Sequence, residues 1–322
     1  MNADAVLSGG GVRVIALVGA LEVAEERGYR WVNLGGTSAG AIVAALRAAG
    51  YTPAEMRQLM ETVDFRRFRD RDALDRIPLA GGLLSLLLEN GIYEGKALEA
   101  WLEDLLARKG VRVFRDLELP PALAGEDPRF RYRLQVVAAD VTRRRMVVLP
   151  RDLPAYGLEP GDFPVARAVR MSAALPYFYE PVPLVYPTPT GPATSLLVDG
   201  GLVANFPVWL FDVEGVPPWP TFGFRLADPV DQAVPFDGPL GYLVALISTA
   251  LEAREELANA HTAARTIAVP TLGVRTTDFE LDLTTRRRLY EAGREAATRF
   301  FRRWDFGRYK QAFRGQAGPL AV

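Results

Sequence analysis

The chain contains the pentapeptide Gly36-Thr37-Ser38-Ala39-Gly40, which has the G-x-S-x-G pattern of a serine nucleophile held in a sharp turn. Residues 29–34 before it are mostly apolar and predict a short strand, and residues 41–49 after it predict a helix. The small residues beside the serine let the backbone turn tightly, so its hydroxyl would project at the positive end of the helix. Ser38 is therefore a candidate catalytic nucleophile.

A second glycine-rich turn lies close to the N-terminus. Residues 3–7 predict a buried strand, the run Ser8-Gly9-Gly10-Gly11 ends it, and residues 12–27 have apolar side chains at helical spacing. Backbone N–H groups and the positive helix end meet at such a turn, which suits a bound phosphate or a developing oxyanion. A plain tight turn is the alternative. The pattern differs from the dinucleotide-binding G-x-G-x-x-G, and no G-K-[ST] follows it to form a P-loop.

The third motif is Asp199-Gly200-Gly201. An apolar strand is predicted over residues 195–198, so the carboxylate would lie at a strand end, followed by glycines that allow a close approach of other backbone. An Asp-Gly pair by itself is as often only a turn. Its functional interpretation therefore depends on the other two motifs.

The order of the predicted elements indicates the fold class. Residues 52–55 have the threonine, proline and glutamate of a capped helix start, and residues 131–138 and 145–149 predict a pair of strands. Further helices are predicted over residues 95–106, 238–264 and 284–301. The early strands alternate with helices, which predicts an α/β fold whose largely parallel sheet is covered by helices on both faces. The proline-rich residues 181–192 predict a surface loop, and no repeat or linker divides the chain, so we expect one domain.

The composition excludes several classes of protein. The 322 residues are 49% apolar and 24% charged, as in a globular domain, and the net charge of −1 gives no positive field for nucleic acid. The absence of cysteine excludes disulfides and thiolate chemistry, and the single histidine argues against a zinc site, so we expect no metal or cofactor. No signal peptide is recognisable, and residues 79–88, the longest strongly apolar stretch, are too few to span a bilayer. We therefore expect a soluble, cytoplasmic protein.

Together and in this order, the three motifs resemble those of the patatin-like phospholipase family, which combines a glycine-rich oxyanion loop, a G-x-S-x-G nucleophile and an aspartate in D-G-[GA]. The similarity continues at residues 91–93, 171–176 and 205–208, so it covers most of residues 4–301. One position departs from the pattern, because Val14 stands where the family usually has a glycine. A β-branched residue disfavours positive φ, so either the helix begins at once, with Val14 already helical, or the loop geometry differs.

The resemblance implies a three-layer αβα patatin-like fold with a central, mostly parallel sheet. It implies a single domain over residues 1–322, with a motif-bearing core at 4–210 and a C-terminal helical part at 238–306. It also implies a Ser-Asp dyad that needs neither metal nor calcium, in which Ser38 attacks an ester carbonyl and Asp199 accepts its proton. The implied oxyanion loop is Gly9, Gly10 and Gly11, and the implied supporting residues are Arg13, Gly36, Gly40, Gly200 and Gly201.

The substrate implied by the resemblance is a phospholipid or another fatty acyl ester, and peripheral membrane contact is a further expectation. Two alternatives stay open. One is a non-lipid carboxylesterase or acyl-thioesterase that uses the same dyad, and the other is a non-catalytic protein that binds a phosphate ligand or a membrane. The oligomeric state stays open as well.

Three residues compete with the dyad for a functional interpretation. Ser38, Asp199 and His261 follow the chain order of an α/β-hydrolase triad, but a polar helix is predicted around His261 and only one strand precedes the elbow strand. We interpret His261 as a surface or hydrogen-bonded histidine. Ser172 lacks tight glycine flanks and is interpreted as packed at a helix start, and Asp140 as a structural carboxylate at a strand end.

The arginines and the leucine-rich segment allow more than one interpretation. Arg13 has three possible roles: it steadies the glycine loop, it binds a lipid phosphate, or it is a solvated side chain at the end of a helix. The runs at 143–145 and 286–288 contact anionic lipid headgroups or form solvated faces, and we expect the second. Residues 79–88, with Gly81-Gly82 as a hinge, form an acyl-binding flap or pack into the core, and we expect the core.

Overall fold

The centre of the fold is a mixed β-sheet. The computed structural model describes residues 1–68, 91–227, 242, 245–246, 260–276 and 278–313, and within this part of the chain the sheet has eight strands. These strands are β1 (Asn2–Leu7), β2 (Arg30–Thr37), β4 (Leu134–Asp140), β5 (Arg145–Leu149), β7 (Val182–Thr188), β8 (Gly191–Asp199), β9 (Thr221–Ala227) and β10 (Thr266–Pro270). The short strands β3 (Gly91–Tyr93) and β6 (Tyr177–Tyr179) form a parallel pair of their own.

Helices connect these strands. In the described ranges the α-helices are α1 (Ile15–Glu26), α2 (Ala39–Ala48), α3 (Pro53–Thr62), α4 (Lys96–Arg108), α5 (Pro121–Ala124), α6 (Val165–Ser172), α7 (Ala260–Ala264), α8 (Leu283–Phe301) and α9 (Phe306–Phe313). Short 3₁₀ helices lie at Gly11–Val14, Phe65–Phe68, Phe114–Leu117, Pro128–Phe130, Leu153–Tyr156, Pro160–Asp162, Gly200–Leu202 and Val208–Phe211. The predicted start of α3 is confirmed, because the side chains and backbone N–H groups of Thr52 and Glu55 cap each other.

Five strands run parallel, in the order β10–β9–β1–β2–β4, and antiparallel strands extend the sheet beyond them. Side chains of β1 alternate between two clusters, since Leu7 lies in the main core and Val6 in a smaller core on the other face. Every residue of β2 after Arg30 is buried, as expected for a strand that is covered on both faces. The predicted α/β class with a central, mostly parallel sheet is confirmed.

The two faces of the sheet are covered differently in the described ranges. Side chains of α1, α2 and α8 belong to the main core, and α1 packs along α8. The smaller core lies under the 3₁₀ helices Pro128–Phe130 and Val208–Phe211, which contribute Phe130, Leu210 and Phe211. The face that α1, α2 and α8 cover therefore holds most of the buried apolar side chains of the described residues.

The prediction of a surface loop at residues 181–192 is wrong. This stretch forms β7 and the start of β8, which pair as an antiparallel hairpin. Val182, Leu184 and Tyr186 are buried and alternate with exposed residues, which include Pro183 and Pro187. Proline is tolerated on an edge strand because its missing N–H then faces away from the sheet.

Two predicted segments fall on residues that the structure does not describe. The leucine-rich segment at 79–88 lies wholly outside the described residues. Most of the helix predicted at 238–264 does so too, and its described residues, 242, 245–246 and α7, are helical.

Candidate active site

The strands β2 and β8 meet end to end on one edge of β4. Because β5 occupies the other edge along Val136–Asp140, both β2 and β8 must pair with β4 on the same side. Thr37, the last residue of β2, pairs with Val137, and Asp199, the last residue of β8, pairs with Ala138. Since β2 is parallel and β8 antiparallel to β4, their carboxyl ends converge. The residue after Thr37 is Ser38, so the register brings it to Asp199.

Ser38 occupies a strained turn at the N-terminus of α2. Its φ of 54° and ψ of −129° are disfavoured for a residue with a Cβ, at a cost of ~1–3 kcal/mol. Gly36 and Gly40 permit the turn by close packing. A Cβ on Gly36 would lie 2.7 Å from the carbonyl oxygen of Gly40, and a Cβ on Gly40 would overlap the carbonyl oxygens of Leu7 and Ser8. The half-buried Ser38 thus projects where the positive end of α2 points.

The carboxylate of Asp199 is buried, and each of its two oxygens accepts one hydrogen bond. Ser38 Oγ donates to Oδ2 at 2.5 Å, the N–H of Gly201 donates to Oδ1 at 2.7 Å, and Asp199 donates its own N–H to the carbonyl of Ala174 at 2.8 Å. Burial raises the pKa of Asp199 to about 6, against the lowering effect of the hydrogen bonds from Ser38 and Gly201. Asp199 is therefore a stronger base than a solvated aspartate, and it is still mostly ionised at neutral pH.

The two glycines after Asp199 let the chain turn under the sheet. A Cβ on Gly200 would overlap the carbonyl oxygen of Val137 and lie 3.0 Å from the methyl group of Thr37. A Cβ on Gly201 would lie 3.0 Å from Oδ1 of Asp199. Larger residues at either position would displace the carboxylate from Ser38.

The glycine loop lies beside Ser38. A Cβ on Gly9 would lie 3.2 Å from the Cβ of Ser38. Gly10 and Gly11 have positive φ values of 156° and 58°, and their N–H groups donate to no residue in the described ranges. The N–H of Gly9, in contrast, donates to the carbonyl of Asn205 at 3.1 Å. The N–H of Gly9 is therefore not free to hold an oxyanion, unlike the prediction from the sequence, and Gly9 instead packs closely against Ser38.

The side chain of Arg13 braces the glycine loop. Its Nε donates to the carbonyl of Gly10 at 3.1 Å, and its Nη1 donates to the carbonyl of Val274 at 3.5 Å, in the loop that follows β10. Of the three interpretations of Arg13, these contacts match the one in which it steadies the loop.

The helix after the glycine loop begins at once. Val14 has a φ of −62° and lies in the 3₁₀ helix Gly11–Val14, so the first of the two alternatives for this residue is confirmed. Thr276 accepts the N–H of Val12 at 3.2 Å, and a Cβ on Gly11 would overlap the same carbonyl oxygen. The C-terminal part of the chain thus fixes the shape of this loop.

The sequence does not predict the roles that Ser172 and Asn205 have in the site. Ser172 is the last residue of α6, not a helix start, and its buried hydroxyl accepts the N–H of Ser38 at 2.8 Å. Asn205 holds Gly9 through its carbonyl, and its side chain lies between Gly9 and Gly201. Both residues lie in stretches that match the family pattern, but their partners are backbone groups far away in the chain, so the sequence does not identify these contacts.

His261 lies away from the site. It belongs to α7, which ends just before the first residue of β10, at the edge of the parallel sheet opposite to Ser38. Its Nε2 lies 2.5 Å from the hydroxyl of Tyr309, and its ring stacks on that of Tyr309. The interpretation of His261 as a hydrogen-bonded histidine is confirmed.

Asp140 has the structural role expected of it, because it is buried and accepts hydrogen bonds from the Tyr156 hydroxyl and from the N–H of Arg143. The prediction that the two arginine runs form solvated faces is wrong for Arg143 and Arg286. Arg143 packs over the rings of Tyr156 and Tyr186, and Arg286 is buried and donates to carbonyl groups at the end of α3.

No cluster of three or more potential metal ligands occurs among the described residues. In the same ranges, no helix combines the length and the apolar character needed to cross a bilayer.

Comparison with known proteins gives a family and a fold. The family model for Patatin-like phospholipase matches residues 5–212. Over 314 residues the chain is 40% identical to "Uncharacterized protein YqhO" of Bacillus subtilis (strain 168), an alignment that covers 95% of this chain and 100% of that protein. This similarity extends the relationship to nearly the whole chain.

Two solved structures share the fold. VipD from Legionella pneumophila matches with a TM-score of 0.54 and 17% identity, covering 93% of this chain and 66% of VipD. The type III effector ExoU of Pseudomonas aeruginosa matches with a TM-score of 0.50 and 17% identity, covering 94% of this chain and 53% of ExoU. The chain thus spans about two-thirds and about half of these proteins, and at this identity the likeness concerns the fold alone.

Proposed function

Because this chain belongs to the patatin-like phospholipase family, we propose that it is a serine hydrolase that cleaves fatty acyl esters of phospholipids or related lipids. Membership of the family supports a lipid hydrolase in general. The finer proposal is carried by the hydrogen bond of 2.5 Å from Ser38 Oγ to Asp199 Oδ2, beside two glycine N–H groups that have no partner in the described ranges.

In the proposed acylation step, Ser38 Oγ attacks the ester carbonyl carbon while its proton passes to Asp199 Oδ2. The carbonyl oxygen becomes an oxyanion, which the N–H groups of Gly10 and Gly11 would hold near the positive ends of the helices that follow both turns. When the tetrahedral intermediate collapses, the carbon–oxygen bond to the leaving alcohol breaks, and Asp199 returns the proton to that alcohol. Ser38 is left as an acyl ester.

In the proposed deacylation step, water replaces the alcohol. Asp199 takes a proton from the water as its oxygen attacks the acyl carbon, and the proton returns to Ser38 Oγ as the free fatty acid leaves. The same base serves both steps, which is consistent with a pKa that burial has raised to about 6.

The proposal is tested with a defined panel of lipids. Release of fatty acid from phospholipids, a triacylglycerol and a monoacylglycerol is measured for the wild type, Ser38→Ala and Asp199→Ala. We expect each variant to release fatty acid at least about a thousandfold more slowly than the wild type. Equal release by the wild type and Asp199→Ala would show that Asp199 is not the base.

The panel also separates the alternatives. Turnover of short soluble esters or thioesters without lipids would favour a non-lipid esterase or thioesterase. Binding of liposomes that is unchanged in Ser38→Ala, with no turnover of any ester, would favour a non-catalytic protein.

The proposed chemistry needs no calcium, because backbone N–H groups and not a cation would hold the oxyanion. We expect activity on micellar phospholipid to change less than about twofold between buffers with EDTA and with calcium. Loss of turnover in EDTA that calcium restores would contradict this mechanism.

A further inference from the structure

The strained conformation of Ser38 requires a restraint. A non-glycine residue with a φ of 54° persists only where its surroundings hold it, at a cost of ~1–3 kcal/mol. The N–H of Ser38 cannot be satisfied within α2, because the first N–H groups of a helix have no intrahelical acceptor. The identity of its acceptor therefore bears directly on where the nucleophile points.

The acceptor is the hydroxyl of Ser172. Its Oγ accepts the N–H of Ser38 at 2.8 Å and donates to the carbonyl of Val137 at 2.6 Å, and the side chain is fully buried. The single proton of the hydroxyl is committed to Val137, so the oxygen can only accept from Ser38. The orientation of this hydroxyl is thus fixed from both sides.

The same short segment also holds the base. The carbonyl of Ala174, two residues after Ser172, accepts the N–H of Asp199 at 2.8 Å. Val137, to which Ser172 donates, is the β4 residue at which β2 ends and against whose carbonyl Gly200 packs. One segment therefore contacts the backbone of both partners in the 2.5 Å hydrogen bond between Ser38 and Asp199.

α6, which ends in this segment, is itself anchored. The buried guanidinium of Arg170 donates to the carbonyls of Gly95, Glu94 and Glu180, in the turn before α4 and at the end of β6. These bonds fix the end of α6 against neighbouring elements, so the segment is held from outside the site.

We propose that Ser172, with the carbonyl of Ala174, is a positioning residue that sets the distance between the nucleophile and the base. This inference rests on the proposed hydrolase function. The hydroxyl of Ser172 itself touches no reacting atom. It acts by holding the N–H of Ser38, which also keeps that N–H out of the oxyanion site.

The experiment compares Ser172→Ala with a matched control, Ser195→Ala. Ser195 is equally buried and lies on the same strand as Asp199, and its hydroxyl has no hydrogen-bond partner among the residues that the structure describes. With p-nitrophenyl butyrate as substrate, we expect Ser172→Ala to lower kcat about a hundredfold, with KM within about threefold, because a misplacement of ~1 Å suffices for such a loss. Ser195→Ala should match the wild type.

Two further readouts separate positioning from a general loss of stability. Ser172→Thr keeps the hydroxyl and should recover kcat to within about tenfold of the wild type. In Ser172→Ala the acid limb of the pH–rate profile should move to higher pH, because the Ser38 hydrogen bond that lowers the pKa of Asp199 is weakened. If Ser172→Ala does not fold, Ser172→Cys fills the space with a weaker donor and acceptor and carries the same expectations.

A crystal structure of Ser172→Ala decides the claim without any turnover, since we expect the distance from Ser38 Oγ to Asp199 Oδ2 to exceed 3 Å, from 2.5 Å in the wild type. An unchanged distance, or an unchanged kcat in an active enzyme, would overturn the inference and leave the proposed function standing. A wild type that turns over no ester would instead refute the proposed function, while the crystal structure still decides the role of Ser172.

Discussion

The protonation state of Asp199 controls the proposed chemistry. Its pKa, raised by burial to about 6, means that the basic form is lost as the pH falls through 6. We expect kcat/KM for p-nitrophenyl butyrate to rise about tenfold per pH unit below 6 and to level off above it. A rate that stays flat between pH 4.5 and 8 in a folded enzyme would exclude Asp199 as the base.

A second buried carboxyl links stability to pH. Asp4 accepts hydrogen bonds from the N–H and side-chain amide of Asn33, and burial raises its pKa from 3.8 to about 7. Because the folded state disfavours the ionised form, the contribution of Asp4 to stability is greatest below pH 4 and is lost as the pH rises to 7.

This linkage predicts the behaviour of Asp4→Asn. The wild type loses stability as the pH rises from 5 to 7, whereas Asp4→Asn has no carboxyl to ionise at this position. The difference in free energy of unfolding, variant minus wild type, should therefore grow with pH by at most about 1.4 kcal/mol per pH unit. Urea denaturation at several pH values measures the difference. A difference between the two proteins that does not vary with pH would show that Asp4 ionises normally in the folded state.

At the scale of single residues, the sequence predicts the side chains of the candidate site better than the backbone hydrogen bonds around them. Ser38 and Asp199 stand in motifs with distinctive glycine neighbours, and the structure places them in hydrogen-bond contact. The occupied N–H of Gly9 and the bond from Ser38 to Ser172 join positions that are distant in the chain, so no local spacing encodes them.

Among the helices, α3 depends on a side chain from α8. Nη1 of Arg286 donates to the carbonyls of Met60, Glu61 and Val63, which are the free acceptors at the end of α3. We expect Arg286→Leu to lower the free energy of unfolding by about 2–3 kcal/mol, because buried carbonyls lose a charged donor. Ester hydrolysis per folded molecule should not change.

The neighbouring arginine provides the control. Arg287 is exposed and reaches the carboxylate of Glu61 at 3.3 Å, so Arg287→Leu should cost less than about 1 kcal/mol. Urea denaturation of both variants measures the difference. Equal losses would mean that Arg286 does not cap α3.

The hairpin of β7 and β8 shows where the prediction of secondary structure from the sequence fails. Val182, Leu184 and Tyr186 alternate at the spacing of a strand, but the intervening prolines suggest a loop to any local rule. The edge position that makes those prolines harmless is a property of the sheet, and it follows only from the pairing of β7 with β8.

In the whole molecule, the C-terminal strands are part of the same sheet as the motifs. β9 pairs with β1, β10 pairs with β9, and α8 packs along α1. We therefore propose that the chain is one folding unit. A protein that ends at residue 212, where the family match ends, would expose one edge of β1 and one face of α1.

We expect this shortened protein to be insoluble or to lack a cooperative unfolding transition, because the lost contacts belong to the main core. Soluble yield and thermal unfolding followed by circular dichroism measure this. A shortened protein that unfolds cooperatively and hydrolyses esters would show that the residues up to 212 form a domain by themselves.

The geometry that unites the site also belongs to the whole molecule. The sequence predicts strands before Ser38 and before Asp199, but it does not predict that β2 and β8 share one edge of β4. That register depends on the competition of β5 for the other edge, which is a long-range property of the sheet.

The central claim is that Asp199 activates the hydroxyl of Ser38 for attack on an acyl group. A fluorophosphonate probe, which reacts with activated serines, tests it most directly when the labelled peptide is identified by mass spectrometry. We predict one adduct, on Ser38, formed at least about a hundredfold more slowly in folded Asp199→Ala. An adduct on another residue, or equal rates in the two proteins, would contradict the claim.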